Sequence, residues 1–183
     1  MNVKNIRSKK VLKLLGLLIS SLLIATVSAQ VYNYMFLNAT IGVEGATLAW
    51  TLGEDNATAG TQIAGATATL GNLKGWTNAT RIYPDPVRLA NIVGSDVTFD
   101  LLIDEVSGSG TGQMETILVR LISMNTTTNM GNLTVWQSPT GEGANLTSLT
   151  IPNGHIWKVQ WEITWKSTAV AETIAVKLKV KTE

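Results

Sequence analysis

The sequence predicts an all-β protein: a single β-sandwich, jelly-roll or immunoglobulin-like, that follows a cleaved leader and an extended first strand. Three observations predict this fold. Apolar and polar residues alternate along many short segments, Gly- and Pro-rich turns separate those segments, and no sustained helical period follows the leader. Short strands joined by such turns favour two packed sheets, and the chain is long enough for one core and too short for two domains.

The leader, residues 1–29, has the three parts of a secretory signal peptide. Basic residues from Lys4 to Lys13 precede an apolar run at 14–27, and small residues end it at Val27-Ser28-Ala29. We therefore expect cleavage between Ala29 and Gln30 and no stable membrane span afterwards. Two alternatives are a retained anchor, although the run is short of the roughly 20 residues that span a bilayer, and a type IV pilin helix, which would have to continue into β-prone sequence.

The mature chain is predicted to consist of an N-terminal donor-strand segment at residues 30–43 and a β-sandwich domain at residues 44–183. The strand itself is predicted within residues 31–43, so it begins almost at the cleavage point. Its apolar odd positions are Val31, Met35, Leu37, Ala39, Ile41 and Val43, and only Asn33 interrupts them. An apolar segment at a mature N-terminus needs something to bury it. It is either the first strand of its own sheet or a donor strand that completes the sheet of another subunit.

The remaining strands follow the same alternation with period two. They are predicted at 46–52, 62–70, 87–93, 96–103, 115–124, 133–137, 146–151, 155–166 and 173–181. Turn signals between or beside them lie at 53–56, 71–72, 84–86, 94–95, 107–112, 139–143 and 152–154.

In 155–166 the tryptophans Trp157, Trp161 and Trp165 share one face with two aliphatic residues. That face is expected to be a core stripe, and a sugar-binding platform is the alternative.

Six Asn-X-Thr triplets mark candidate N-glycosylation sites, a modification of chains that cross a membrane. The acceptors are Asn38, Asn56, Asn78, Asn125, Asn132 and Asn145. Four of them, Asn56, Asn78, Asn125 and Asn145, fall in or beside predicted loops or strand ends. Asn38 lies in the first strand on the face opposite Leu37, where a sugar can project outward. The sequence therefore predicts a secreted glycoprotein.

Charge and cysteine content exclude several classes of function. Of the 14 Lys and Arg, five lie in the leader, so nine remain against 13 Asp and Glu. A mature chain with a negative balance is not expected to bind nucleic acid. The chain has no cysteine, which excludes disulfides, thiolate catalysis and Cys-ligated metals. Sequons without cysteine fit an archaeal surface protein.

The features that carry a family resemblance are the leader ending at Ala29, the apolar tail Val-Tyr-Asn-Tyr-Met-Phe-Leu from Val31, the strand opening at 94–101, and the closing strand pair within 157–181. In these the sequence resembles the donor-strand fibre proteins related to the TasA and camelysin biofilm proteins, in particular the subunits of archaeal bundling pili. Archaeal thread subunits look similar. The resemblance implies a jelly-roll subunit with an inserted N-terminal strand, in glycosylated extracellular filaments for cell cohesion or biofilm formation.

No enzyme site is expected. Some members of the resembled family have been described as peptidases, but a His-Glu-x-x-His zinc site needs two histidines and His155 is the only one here. A triad of Ser138, His155 and Asp104 can be composed on paper, without a Gly-x-Ser-x-Gly elbow to support it. No catalytic, cofactor or metal residue is predicted. Calcium at a subunit junction, held by Asp96, Asp100, Asp104 and Glu105, is the alternative, although their spacing fits a strand better than an EF-hand loop.

The sequence therefore predicts a non-enzymatic structural subunit that polymerises with itself, head to tail, by strand donation. Its further partners would be neighbouring filaments or cells. The alternative function is a glycosylated surface domain, associated with an S-layer, that acts in adhesion or sugar binding and keeps its first strand in its own sheet.

Overall fold

Two six-stranded sheets face each other in the computed structural model, which describes residues 35–44 and 47–182. The strands are β1 (Met35–Glu44), β2 (Leu48–Leu52), β3 (Thr61–Ala64), β4 (Thr67–Gly75), β5 (Thr80–Asn91), β6 (Val97–Ser107), β7 (Met114–Ser123), β8 (Asn129–Gln137), β9 (Gly141–Glu142), β10 (Leu146–Ile151), β11 (Ile156–Trp165) and β12 (Thr173–Thr182). The described part also contains a one-turn helix, α1 (Asn56–Ala59), and a 3₁₀ helix (Ser109–Gln113). The predicted β-sandwich is confirmed. The predicted signal peptide, its cleavage point at Ala29 and Gln30, and Val31 lie outside the described residues.

The order of the strands is β10-β6-β12-β1-β4-β3 in the first sheet and β2-β5-β11-β7-β8-β9 in the second. Of the strand pairs in the described part, β1 with β12 is parallel and the others are antiparallel. The first strand along the described chain therefore lies in the middle of a sheet.

The core lies between the two sheets and is built from the predicted alternation. Trp161 and Trp165 have no exposed surface and Trp157 is 1% exposed, so this face of β11 is a core stripe and the sugar-platform interpretation is wrong. The ring of Phe99, from β6 in the other sheet, packs against Trp157 with centroids 5.8 Å apart. Full burial of large apolar side chains contributes roughly 1.5–3 kcal/mol each.

Two predicted boundaries were wrong in the region of β3 and β4. Residues 62–70 were expected to form one strand, but the chain turns back at Gly65, whose φ of 58° suits glycine. The expected turn at Gly71-Asn72 is instead part of β4. There Leu37 pairs with Leu73 and Ala39 with Leu70, so β4 carries an extra residue in a β-bulge.

The expected turn at Pro84-Asp85-Pro86 is also part of a strand, β5, which is longer than predicted. Opposite it, Val159 pairs with Val87 and Trp161 with Tyr83, so extra residues of β5 bulge out of the ladder. Prolines lack the N–H that a regular ladder requires, and a bulge accommodates them. The bulge turns the side chain of Asp85 into a nearly buried position, 2% exposed.

Asp85 is held by an ionic network on the outside of the second sheet. Both of its carboxylate oxygens accept hydrogen bonds from Nε of Arg88 at 3.0 Å, and Nζ of Lys158 lies 3.4 Å from Oδ2. Its backbone N–H donates to Oδ2 of Asp55 at 2.8 Å, and Arg88 also pairs with Glu54. Burial alone would raise the pKa of Asp85, but the hydrogen bonds from Arg88 and the Glu54 backbone and the charges of Arg88 and Lys158 lower it overall.

This network makes stability depend on pH in the acid range. Because the pKa of Asp85 in the folded chain lies below its unfolded value of about 3.9, the ionised carboxylate stabilises the fold above that pH. The contribution is lost as pH falls through the folded-state pKa. Asp85→Asn should lower the free energy of unfolding by on the order of 3 kcal/mol at pH 7. It should also flatten the fall in stability below pH 4, as measured by urea unfolding at a series of pH values. A fall of equal steepness in both chains would contradict this assignment.

Candidate functional site

β1 occupies the centre of the first sheet and pairs with a strand on each side. It runs parallel to β12, with Leu37 opposite Ile174 and Ile41 opposite Leu178. On its other side it pairs antiparallel with β4, where Ile41 lies opposite Ala68. In the isolated chain, therefore, this segment fills a place in its own sheet.

The side chains of β1 alternate between the core and the solvent. Leu37, Ala39 and Ile41 are fully buried and Val43 is 6% exposed, whereas Asn38 is exposed on the outer face. Met35 begins the strand, and its side chain lies outside those described. Removing β1 would uncover these apolar contacts and leave β12 and β4 with unpaired edges.

The boundaries of β1 differ slightly from the expectation. The donor strand was predicted at residues 30–43 and the sandwich at 44–183, but β1 extends to Glu44 and belongs to the same sandwich. At the end of the strand the backbone of Glu44 lies opposite that of Lys181 in β12. Only residues 45–47 separate β1 from β2, which lies at the edge of the other sheet.

Five of the six predicted glycan acceptors are exposed at the surface, on several elements. Asn78, Asn125 and Asn145 lie in turns or loops, and Asn132 lies on β8; all four are exposed, as is Asn38 on β1. In Asn132 and Asn145 the amide oxygen Oδ1 accepts a hydrogen bond, from Asn129 at 2.7 Å and from the Ile103 backbone at 2.8 Å respectively. Such bonds orient the side chain through Oδ1 and leave Nδ2, the atom that carries a glycan, directed away from that contact.

Asn56 differs from the other acceptors. It begins α1, is half-buried, and uses Nδ2 to donate a hydrogen bond to the carbonyl of Gly53. We expect Asn56 to carry less sugar than Asn125, because a glycan on Nδ2 would crowd this contact. Glycopeptide mass spectrometry of the secreted protein measures the occupancy at each site. Equal occupancy at Asn56 and Asn125 would contradict the prediction.

A cavity of ≈ 520 Å³ opens beside Asn78 at one end of the sandwich. Hydroxyl groups of Thr80, Thr164 and Ser167 line it, together with the charged residues Glu115 and Lys166. The Thr80 and Thr164 hydroxyls are hydrogen-bonded to each other at 2.7 Å. Trp165 and Ala79 also line the cavity, which is open to solvent and mostly polar, unlike the enclosed and mainly apolar pockets that hold most small molecules.

The four acidic residues considered for calcium lie on β6 or just before it, and three of them already have partners. Asp96 accepts a hydrogen bond from the Asn153 backbone at 3.0 Å and Asp100 from the Ser148 backbone at 2.9 Å. Glu105 pairs with Lys177. Within residues 35–44 and 47–182, no group of three or more His, Cys, Asp or Glu side chains is arranged to hold a metal ion.

The three residues considered for a Ser-His-Asp triad lie on separate elements. Ser138 follows β8, His155 precedes β11, and Asp104 is exposed on β6. No hydrogen bond in the described part of the chain joins any two of them. The same part contains no helix that is both long and apolar enough to cross a bilayer.

No protein-family model matches this chain, and no curated protein matches it in sequence.

Proposed function

We propose that the protein is a secreted, glycosylated structural subunit that polymerises into an extracellular filament by donating β1 to the next subunit. The central, fully apolar inner face of β1 is the observation that carries this proposal. A strand in that position is essential to the sheet, yet it precedes every other described strand and is joined to them only through residues 45–47.

The topology allows the strand to be exchanged without unthreading the chain. β1 connects to the rest of the described chain at its C-terminal end, so it can leave the groove between β12 and β4 while the other strands keep their connections. An identical β1 from a second copy then makes the same contacts. Such an exchange is a domain swap, and when each copy donates to a further copy the contact is heterologous and produces an open chain.

The surface chemistry is compatible with this exchange. Asn38, the acceptor on β1 itself, faces outward while its neighbours Leu37 and Ala39 face the core, so a sugar there leaves the groove free. Cell cohesion and biofilm formation are the roles expected of such filaments.

An introduced disulfide distinguishes exchange from a strand that stays in its own sheet. Gly42 lies opposite Lys179 in the parallel β1–β12 pair, and a Cβ built on Gly42 meets nothing within 4 Å. Neighbouring strands are roughly 4.8 Å apart, which suits a disulfide. Because the natural chain has no cysteine, the variant Gly42→Cys/Lys179→Cys has one possible pairing partner for each thiol.

The variant is assembled under reducing conditions and then oxidised. Strand donation predicts a ladder of covalent multimers on non-reducing gels, and oxidation before assembly should instead trap monomers that cannot polymerise until they are reduced. The single variant Gly42→Cys is the control and should give neither result. Filaments that contain only monomers cross-linked within themselves would contradict strand donation.

The second candidate function is a surface domain, associated with an S-layer, that acts in adhesion or sugar binding without polymerising. It is favoured by the complete first sheet of the isolated chain, in which β1 needs no partner. Electron microscopy of material shed from the producing cells separates the two functions. Filaments with a regular subunit spacing support the first, and monomers or a planar lattice support the second.

A further inference from the structure

The turn between β4 and β5 combines a glycan acceptor with an exposed aromatic ring. Trp76 and Ala79 form an antiparallel bridge, so Thr77 and Asn78 make the tip of the turn. Asn78 has a φ of 56°, a left-handed conformation in which turns favour Gly and Asn. Asn78 is also the acceptor of the triplet that ends at Thr80.

Trp76 is more exposed than the other five tryptophans of the chain. It is 40% exposed, whereas Trp50, Trp157, Trp161 and Trp165 are buried and Trp136 is partly buried. Its cross-strand neighbour is Ala79, which is too small to cover an indole ring. A large aromatic ring is therefore left at the surface, two residues before an acceptor asparagine.

A second contact holds this ring in place. The guanidinium carbon of Arg81 lies 5.3 Å from the centroid of Trp76 and 4.9 Å from that of Tyr83. Tyr83 is buried, and its hydroxyl accepts a hydrogen bond from the Lys74 backbone N–H at 2.7 Å. Arg81 thus links the exposed indole to a fixed ring of the core and covers part of its surface by cation–π contact.

We propose that the uncovered surface of Trp76 is a docking site for the first sugar ring of the glycan on Asn78. A pyranose ring presents a face of C–H groups, which packs against the π face of an aromatic side chain. Attachment in the same turn gives the sugar a high effective concentration at the indole, so a weak contact suffices. This inference rests on the proposed glycosylation and does not depend on strand donation.

Asn38 has Phe36 two residues before it, and the side chain of Phe36 lies outside those described. The remaining four acceptors have no aromatic residue at that position. Two residues before them stand Glu54, Ser123, Met130 and Gly143. In the described part of the chain, Asn78 is also the one acceptor with a positive φ. The glycan on Asn78 is therefore expected to be ordered against the protein, in contrast with a glycan on Asn125.

The test compares Trp76→Ala in glycosylated and unglycosylated protein. The chain is secreted from a eukaryotic host, which attaches an N-acetylglucosamine-linked glycan, and is also made in the bacterial cytoplasm, which attaches none. Peptide mapping by mass spectrometry establishes whether Asn78 is occupied. Loss of the Arg81 contact occurs in both forms, so the difference between the two melting-temperature changes reports the sugar contact.

We expect Trp76→Ala to lower the melting temperature by about 2–4 °C more in the glycosylated form than in the unglycosylated form. The excess should disappear in an Asn78→Gln background and persist in an Asn125→Gln background. Trp76→Phe, which keeps an aromatic face and the fold, should retain most of it. If Asn78 is occupied and Trp76→Ala lowers the melting temperature equally in both forms, the inference is overturned. An unoccupied Asn78 would also overturn it. Neither outcome changes the result of the disulfide experiment, which tests strand donation.

Discussion

Deletion of residues 30–44 should abolish filament formation and leave a chain that folds only when the missing strand is supplied as a peptide. The deletion removes the ladders of β1 to β12 and β4 and the buried side chains of Leu37, Ile41 and Val43. Each of these side chains contributes roughly 1.5–3 kcal/mol. A typical domain is stable by only about 5–15 kcal/mol, so the loss of the central strand is expected to unfold the chain.

The measurement is circular dichroism and negative-stain electron microscopy of the truncated protein, with and without a synthetic peptide of residues 30–44. The peptide should restore a cooperative thermal transition without restoring filaments, because a free peptide fills the groove and connects to nothing. A peptide that carries Leu37→Asp is the matched control and should restore neither. Filaments formed by the truncated chain alone would show that another segment connects the subunits.

Leu37→Asp and Asn38→Gln in the full chain should have opposite effects, although the two residues are neighbours. Leu37 is fully buried, so an aspartate there places a charge in the core without a partner, at a cost of several kcal/mol. Asn38 is exposed on the other face, and its replacement removes one glycan acceptor. We expect the first variant to lose both folding and assembly and the second to retain both.

The effects of Leu37→Asp and Asn38→Gln are measured by thermal melts, which report folding, and by filament yield, which reports assembly. The two faces of a strand exchange when the register slips by one residue, so the comparison tests the register of β1 directly. A stable, polymerising Leu37→Asp protein together with a defective Asn38→Gln protein would show that β1 packs on its opposite face in the filament.

The pattern of apolar residues was sufficient to predict the sandwich and most strands. Alternation in β11 and β12 is strong because each strand buries one complete face. There the predicted bounds differ from the observed ones by at most one residue at each end. The predicted strand boundaries were wrong where they depended on interpreting a Gly or Pro residue as a turn. Gly65 makes a real turn, whereas Gly71 and the two prolines Pro84 and Pro86 lie in bulges, and only the pairing with neighbouring strands distinguishes these cases.

The candidate site could be predicted in part. The inner and outer positions of residues 37–43 follow from alternation, whereas the glycan acceptors, read from their triplets, stay a prediction. The parallel pairing with β12 could not be predicted, since partner choice depends on contacts far apart in the chain. The ring of Trp76 was likewise missed: its exposure and the positive φ of Asn78 are properties of one turn and leave no periodic signal.

The place of β1 between two strands also has a mechanical consequence. In a filament joined by this strand, tension would pull β1 along its own axis, past β12 on one side and β4 on the other. The hydrogen bonds of both ladders run across that axis, so they would be loaded together and would resist shear as a group. A strand peeled from the edge of a sheet would instead lose its bonds one after another, at a much lower force.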